Sequence, residues 1–395
     1  MAICLLSACT VAPTTVNKEN TDVNQAKTVV VPTPSLQEQE IPPTSLQPFL
    51  AKVSQDQNIP LTDLQAAFAD TRVIPSIRKL VLPAPTGFQK NWRVYRSRFV
   101  EPKRLMAGHE FWKKHRAFIE KTSKKTGVPA EVIVSIIGVE TIYGKHMGDF
   151  PVKNTLVTLG FDYPDTPNRA SREILFKEQL RDLITLCWKE DSKPTSFKAC
   201  LNQTGSYAGA IGLPQFMPGS VLRFGVDGNQ DGKIDLRNTP EDAIASVGNF
   251  LKNHGWVEDE PIYLSINDTP EAMTAAATLS DGEPVAKLLL GDLVKASITS
   301  GNGLKPETPS LIVDLPSPNN QGGTDIKYVV GLSNFVAICN YNRSYFYAQS
   351  VAEFAEALQG DAPIIKTRAN TAKKSVKKVK KASKKPSAKT PSKNS

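Results

Sequence analysis

Apolar residues recur at helical spacing along most of this chain. Leu46, Phe49, Leu50 and Val53 share one face, and Leu61, Leu64, Ala67 and Phe68 share another. The same rhythm runs through Trp92 to Phe99 and through Gly108 to Thr126, where Phe111, Trp112, His115 and Ile119 form a stripe. It returns in Ala243 to Trp256, with Ile244, Val247, Phe250 and Leu251 on one face and Gly255 at the end, and in a closing helix carrying Val351, Phe354, Ala355 and Leu358. Between Pro261 and Ser333 the rhythm shifts to short apolar runs, Leu311-Ile312-Val313 and Tyr328-Val329-Val330, between Gly and Pro clusters, which predicts strands. Phe335 to Tyr347 is expected to begin as a further strand. The expected class is mainly α (α+β), with a small β element packed on helices. No run reaches the roughly 18 uninterrupted apolar residues of a spanning helix.

One helix breaks the pattern. Gly127-Val128-Pro129 stops the helix before it, and a new one begins near Pro129 and runs into Ile133 to Gly144, IVSIIGVETIYG. Ile133, Ile136, Ile137 and Glu140 fall at i, i+3, i+4 and i+7, so a carboxylate takes the place of a fourth aliphatic. Such a glutamate either pairs with Arg or Lys at a helix end or keeps its proton above the ordinary value of about 4.3. Raising it by roughly two to three units takes about 3 to 4 kcal/mol, large against a total stability of about 5 to 15 kcal/mol. A raised pKa suits a general acid.

The two ends differ from the body. Lys366 to Ser395 holds 11 Lys, one Arg and no acid, so of the net charge of +9 about −3 belongs to everything before it. Lys, Ala, Ser, Thr and Pro dominate that tail, which predicts disorder. Val11 to about Pro43 is poor in aromatics and reads as a disordered tether that could extend about 100 Å. Met1 to Thr10 ends in Leu6-Ser7-Ala8-Cys9, similar to the lipobox of bacterial lipoproteins, in which Cys9 is lipidated. Thr10 in place of an aspartate then implies the outer membrane of a Gram-negative cell. A secretory signal opens with positive charge and an apolar run of about 7 to 15 residues; neither precedes Cys9, so the true start is expected upstream of Met1. The expected divisions are a signal remnant at 1–9, a linker at 10–44, a catalytic body at 45–360 and a basic tail at 361–395. The tail is expected to meet an anionic surface of the periplasm, not nucleic acid.

His109 and His115 invite a metal reading, but at i and i+6 they do not share a helix face. Cys187 and Cys200 lie thirteen apart, a spacing open to a disulfide or to two buried thiols, and Cys339 is expected in the core. Gly205 to Pro218 is dense in Gly and Pro, so backbone can approach a ligand, while Ser206 and Gln215 supply uncharged hydrogen-bonding groups. Asp227-x-Asn229-x-Asp231-Gly232-x-Ile234 reads like the first positions of an EF-hand calcium loop, with Lys233 contributing its carbonyl. Position 12, where a bidentate Glu belongs, is Asn238, so a polar turn without an ion is the alternative.

Gly138-Val139-Glu140-Thr141-x-Tyr143-Gly144, followed by Gly205-Ser206-Tyr207-Ala208-Gly209-Ala210-Ile211-Gly212-x-Pro214-Gln215-Phe216-Met217-Pro218, resembles the membrane-bound lytic transglycosylase B family of peptidoglycan-cleaving enzymes. The resemblance covers roughly Leu46 to Leu358, with further matches at Phe111-Trp112, Asp227 to Asp242 and Tyr341 to Tyr347. It implies a lysozyme-like core with an added helical lobe, Glu140 as the catalytic acid, and a saccharide groove lined by Ser206, Gln215, Tyr341 and Tyr347. It also implies that Asp242 completes the set of Asp227, Asn229, Asp231 and Lys233 around a structural Ca2+, with no cofactor for catalysis. Family arginines that touch substrate correspond to the segment Phe161 to Arg172, where Arg169 and Arg172 are both open. Two other functions stay open: a hydrolytic muramidase, and a non-catalytic, calcium-dependent wall-binding lipoprotein.

Overall fold

The computed structural model describes residues 43–84 and 87–360. Cys9, the tether up to residue 42 and the basic tail lie outside the described residues. The described residues up to Leu358 form one compact unit.

Helices come first in chain order: α1 (Leu46–Gln57), α2 (Leu61–Phe68), α3 (Pro75–Leu80), α4 (Trp92–Ser97), α5 (Pro102–Thr126) and α6 (Ala130–Thr141). The Glu101 side chain caps α5 by accepting from the amides of Lys103 and Arg104, and the helix bends at His115, whose backbone leaves helical geometry. A two-residue pair follows, β1 (Phe150–Pro151) against β2 (Thr204–Gly205), enclosing α7 (Val152–Phe161), α8 (Arg169–Glu190) and α9 (Pro194–Leu201). A disulfide joins Cys187 of α8 to Cys200 of α9, with Cα atoms 5.5 Å apart, resolving the two alternatives for that pair. Cys339 is buried in the core.

After α10 (Pro218–Phe224) and α11 (Pro240–Asn253) the chain builds a sheet from β3 (Tyr263–Ser265), β4 (Leu288–Leu289), β5 (Pro309–Pro318) and β6 (Thr324–Gly331), in antiparallel order β3-β6-β5-β4. It carries α12 (Pro270–Leu279) and α13 (Leu290–Lys295). Leu311, Val313, Leu315 and Val329 point into the main helical core. Ile312 and Val330 join Leu264, Ala276, Leu290 and Leu293 in a second, smaller core. A central strand buried on both faces needs an unbroken apolar run, and Leu311-Ile312-Val313 is one.

The segment expected to open as a strand at Phe335 is instead α14 (Ser333–Cys339), leading through a turn into α15 (Tyr345–Gly360). Its Phe335, Ala337, Ile338 and Cys339 are buried at spacings that one helix face and its edges accommodate, so packing overrides the local preference of Phe and Val. The amphipathic reading of the Glu140 helix is also corrected. From Val132 to Val139 every residue of α6 is buried, and only Glu131 and Glu140 near its ends open toward the surface besides Ala130. A helix apolar all round runs through the middle of a domain. Ser135 donates to the Val351 carbonyl at 2.7 Å, and a Cβ added at Gly138 would lie 2.8 Å from Phe354 Cε1. Thus α6 and α15 approach closely at a glycine.

Candidate active site

Glu140 occupies the last turn of α6, half-buried where the helix emerges from the core. The helix stops because Ile142 and Tyr143 adopt left-handed backbone, with φ of 50° and 56°, before Gly144 at 91°. Two successive non-glycine residues in that region are costly and persist only where surroundings hold them. Here Phe111 stacks on the Tyr143 ring with centroids 5.0 Å apart, and the Thr141 hydroxyl accepts the Gly144 amide at 3.1 Å.

The Tyr347 hydroxyl donates to Glu140 Oε1 at 2.5 Å. Tyr347 itself is 2% exposed, so it is a holder of the carboxyl and not the sugar-facing platform expected of it. Tyr341 is half-buried; its ring stacks on Tyr347 with centroids 6.2 Å apart, and its hydroxyl donates to the Pro214 carbonyl. Burial and the neighbouring Glu140 push both phenols well up, so both stay protonated donors. Burial raises the Glu140 carboxyl to about 7, against the opposing influence of the Tyr347 hydroxyl and of the Arg104 charge.

The segment 205–218 reaches this helix end through several bonds. Thr141 donates to the Leu213 carbonyl at 3.0 Å, and Gln215 donates to the carbonyls of Met147 at 3.2 Å and Gly212 at 2.9 Å. Gln215 has φ of 51°, a turn conformation that aims its side chain back at the loop after α6. Ser206 accepts the amides of Ala208 at 3.3 Å and Ala210 at 3.0 Å, shaping the glycine loop, and its own hydroxyl hydrogen is left to donate elsewhere. Gly148 meets this loop so closely that a Cβ there would lie 2.2 Å from the Gly205 carbonyl oxygen. Glu140, Tyr341, Tyr347 and Gln215 are thus linked through these contacts, while Ser206 bonds within its own loop.

Arg104 escaped the sequence reading. From α5 it donates to the carbonyls of Gly138 and, at 3.1 Å, Val139 in the last turn of α6. An Arg near the start of one helix gives no hint that it will cap the end of another 34 residues on. Tyr143 and Thr141 stood inside the recognised motif, yet only the fold reveals what they hold. His115 lies with its Nδ1 3.4 Å from Glu241, and Arg169 pairs with Glu173 at 2.9 Å.

In the segment 227–242 the carboxylates meet amides. Asp227 accepts from Gln230 at 2.7 Å and Gly232 at 2.8 Å, and Asp231 accepts from Lys233 at 2.9 Å and from the Asn229 side chain at 2.8 Å. Asp242, fully buried at the start of α11, accepts from Gly228 at 2.8 Å and Asp235 at 2.7 Å. Among the described residues no group of three or more His, Cys, Asp or Glu is arranged to hold a metal ion. The donors nonetheless suit a hard cation in kind, all being oxygens. Burial raises the Asp242 carboxyl against the pull of its amides, and the negative Asp227 adds to that rise, a repulsion that a cation between them would relieve.

Comparison with known proteins agrees with this geometry. Residues 43–356 match the profile of a family described as the transglycosylase SLT domain. The chain is 31% identical over 320 residues to membrane-bound lytic murein transglycosylase B of Escherichia coli (strain K12), covering 79% of this chain and 82% of that protein. Soluble lytic transglycosylase SltB1 of Pseudomonas aeruginosa superposes with a TM-score of 0.68 at 35% identity, over 80% of this chain and 98% of that one. The Escherichia coli lytic transglycosylase Slt35, solved in complex with calcium, superposes at 0.64 and 30% identity, over 81% of this chain and 96% of that one. With the family profile spanning nearly all of the described body, and Glu140 seated at the end of its central helix, this chain belongs to the transglycosylase SLT domain family.

Proposed function

We propose that this protein is a lytic transglycosylase that cleaves the MurNAc–GlcNAc β-1,4 bond of peptidoglycan and leaves a 1,6-anhydro-MurNAc end. The observation that carries the reading is Glu140, half-buried, hydrogen-bonded by Tyr347 and holding its proton up to about pH 7. Glu140 gives that proton to the bridging oxygen, and the bond from the muramyl anomeric carbon to that oxygen breaks. The carboxylate then takes the proton of the muramyl 6-hydroxyl as that oxygen bonds to the anomeric carbon. A tethered nucleophile reaches effective concentrations of about 10⁵ to 10⁸ M, so an activated water and a second catalytic carboxylate are not required. The Tyr347 bond occupies Oε1, which leaves Oε2 to carry the transferred proton. Gln215, Ser206 and the exposed part of Tyr341 supply amide, hydroxyl and ring faces to the glycan.

Mass spectrometry of sacculi digested by the purified protein tests this. The released muropeptides are expected to be lighter by one water than those with reducing ends. Reducing ends would identify a muramidase using the same acid with water, and the absence of soluble muropeptides would leave a wall-binding protein without catalysis.

We also read the segment 227–242 as a calcium loop that fastens the chain between α10 and α11. The reading draws support from the oxygen-only donor set, from the repulsion between Asp227 and Asp242, and from the calcium complex of the Escherichia coli relative. Asp227, Asn229, Asp231, the Lys233 carbonyl and Asp242 would hold the ion, which takes no part in the chemistry. Millimolar calcium is expected to raise the melting temperature by about 3 °C over a chelated sample. Equal melting temperatures would remove calcium from the protein.

For location we propose the periplasm, with Cys9 lipidated at the outer membrane and the Lys-rich tail held by anionic groups of the envelope. The lipobox-like Leu6 to Cys9 and the twelve cations from Lys366 onward support this placement.

A further inference from the structure

The side chain of Arg104 is almost completely buried. Its guanidinium reaches across from α5 to the end of α6 and bonds the carbonyls of Gly138 and Val139, with a third bond to the Arg98 carbonyl at 3.2 Å. The last carbonyls of a helix form the negative end of its dipole; in α6 the Gly138 carbonyl also takes the Ile142 amide at 3.1 Å, so Arg104 adds a second, charged donor there. A carboxylate at that end, as Glu140 is, meets an unfavourable field. We propose that Arg104 is a positioning residue for Glu140: it fixes the final turn of α6 and stands as a permanent positive charge beside the carboxyl. That charge keeps the carboxylate form within reach for the second proton transfer.

The inference rests on the two-proton reading above, because a group that only donated would gain nothing from the charge. Three features argue that the placement is built. The Arg104 amide is itself fixed by Glu101 at 2.7 Å, so the side chain departs from a capped helix turn. The Phe99 ring lies 5.2 Å from the guanidinium carbon, giving the cation a second support. Planar, five-donor guanidinium suits several carbonyls at once in a way an ammonium does not. The groups facing Glu140 are Tyr347 from α15, Tyr341 from the turn before it and Arg104 from α5. Of these, Arg104 alone carries a fixed charge; the two phenols stay neutral. Both the Tyr347 bond and the Arg104 charge draw the Glu140 titration down from where burial alone would set it.

The test follows the carboxyl itself, independent of turnover. The Glu140 side chain is titrated by 13C NMR in the full chain, identified by difference from Glu140→Gln. In Arg104→Met the midpoint is expected to rise by about one pH unit or more, and the alkaline limb of kcat/KM should follow it. Arg104→Lys, which keeps charge but loses the fork, is expected to hold the midpoint near the wild-type value while kcat falls and KM stays. A folded Arg104→Met titrating within 0.2 units of wild type, by the order of precision such titrations allow, overturns the proposal. If the Met variant does not fold, the Lys variant decides: wild-type kcat, or a midpoint that climbs despite the retained charge, overturns it. Should Glu140→Gln prove active, the acid role of Glu140 fails on its own while the titration result still stands.

Discussion

Glu140→Gln is expected to lower turnover by at least about 10³-fold while leaving binding to the glycan intact. General acid catalysis alone contributes about 10² to 10⁴, and on the proposed mechanism one group serves both transfers. Glutamine keeps an oxygen to accept the Tyr347 hydroxyl, so the loss isolates the proton and not the packing. A variant keeping more than about a tenth of wild-type turnover would take Glu140 out of the acid role. The same substitution has a stability consequence of the opposite sign. The folded-state pKa is raised to about 7 from an ordinary 4.5, so the unfolded chain releases the proton first as pH rises. The stability that protonated Glu140 lends is therefore full below about pH 4.5 and is lost as pH climbs through about 7. Because the side chain is only half-buried, the cost of the ionised form is discounted to about 1 to 2 kcal/mol. Glu140→Gln should thus match wild type in denaturant melts at pH 4 and exceed it by that amount at pH 8. Activity measured as kcat/KM should fall on the alkaline side of about pH 7, where the acid form is lost.

Gly138→Ala is expected to destabilise the protein although it sits inside a helix, where that change ordinarily gains about 0.5 to 1 kcal/mol. A Cβ at Gly138 would lie 2.3 Å from the Tyr143 hydroxyl oxygen and 2.8 Å from Phe354 Cε1. Overpacking of that kind costs about 1 to 3 kcal/mol, so the steric effect wins. The Tyr143 ring cannot simply swing away, being stacked on Phe111 and hung from a left-handed residue. Its buried hydroxyl has no hydrogen-bond partner among the described residues, so space and not bonding defines its seat. A melting temperature lower by about 3 °C is expected, together with reduced kcat, because Tyr143 lies three residues from Glu140 and sets the turn that follows it. Gly360→Ala, where a Cβ meets nothing within 4 Å, is the control and should leave stability unchanged or slightly raised. A Gly138→Ala protein as stable as wild type would mean that α15 yields at this crossing.

Much of the helical layout could be read from spacing, as with Ile244, Val247, Phe250 and Leu251, which all face the core from α11. In two places the structure departs from what spacing predicts, each for a physical reason. At Phe335 to Cys339 the aromatic and branched residues favour a strand, but burial against the sheet and α15 imposes a helix. For Glu140 the i, i+3, i+4, i+7 pattern assumed a helix with a polar face, whereas α6 is enclosed on every side. The carboxyl is raised all the same, because burial at the end of an enclosed helix removes water from it as an apolar face would. Tyr347 shows the reverse: the residue was picked out for the groove, and the fold sets it beneath the carboxyl as a donor.

By itself the sequence determined the mainly helical class, the apolar runs of the sheet, the acid at position 140 and the motif words that mark its family. These are local or recurrent signals, written in spacing and residue type. Tertiary structure decided which groups surround that acid. Tyr347 reaches the carboxyl itself from 207 residues away along the chain, Leu213 meets the neighbouring Thr141 across 72, and Arg104 meets the preceding Val139 across 35. The proton affinity of a carboxyl depends on burial and on charges within a few ångströms, and those distances exist only once the chain has closed on itself.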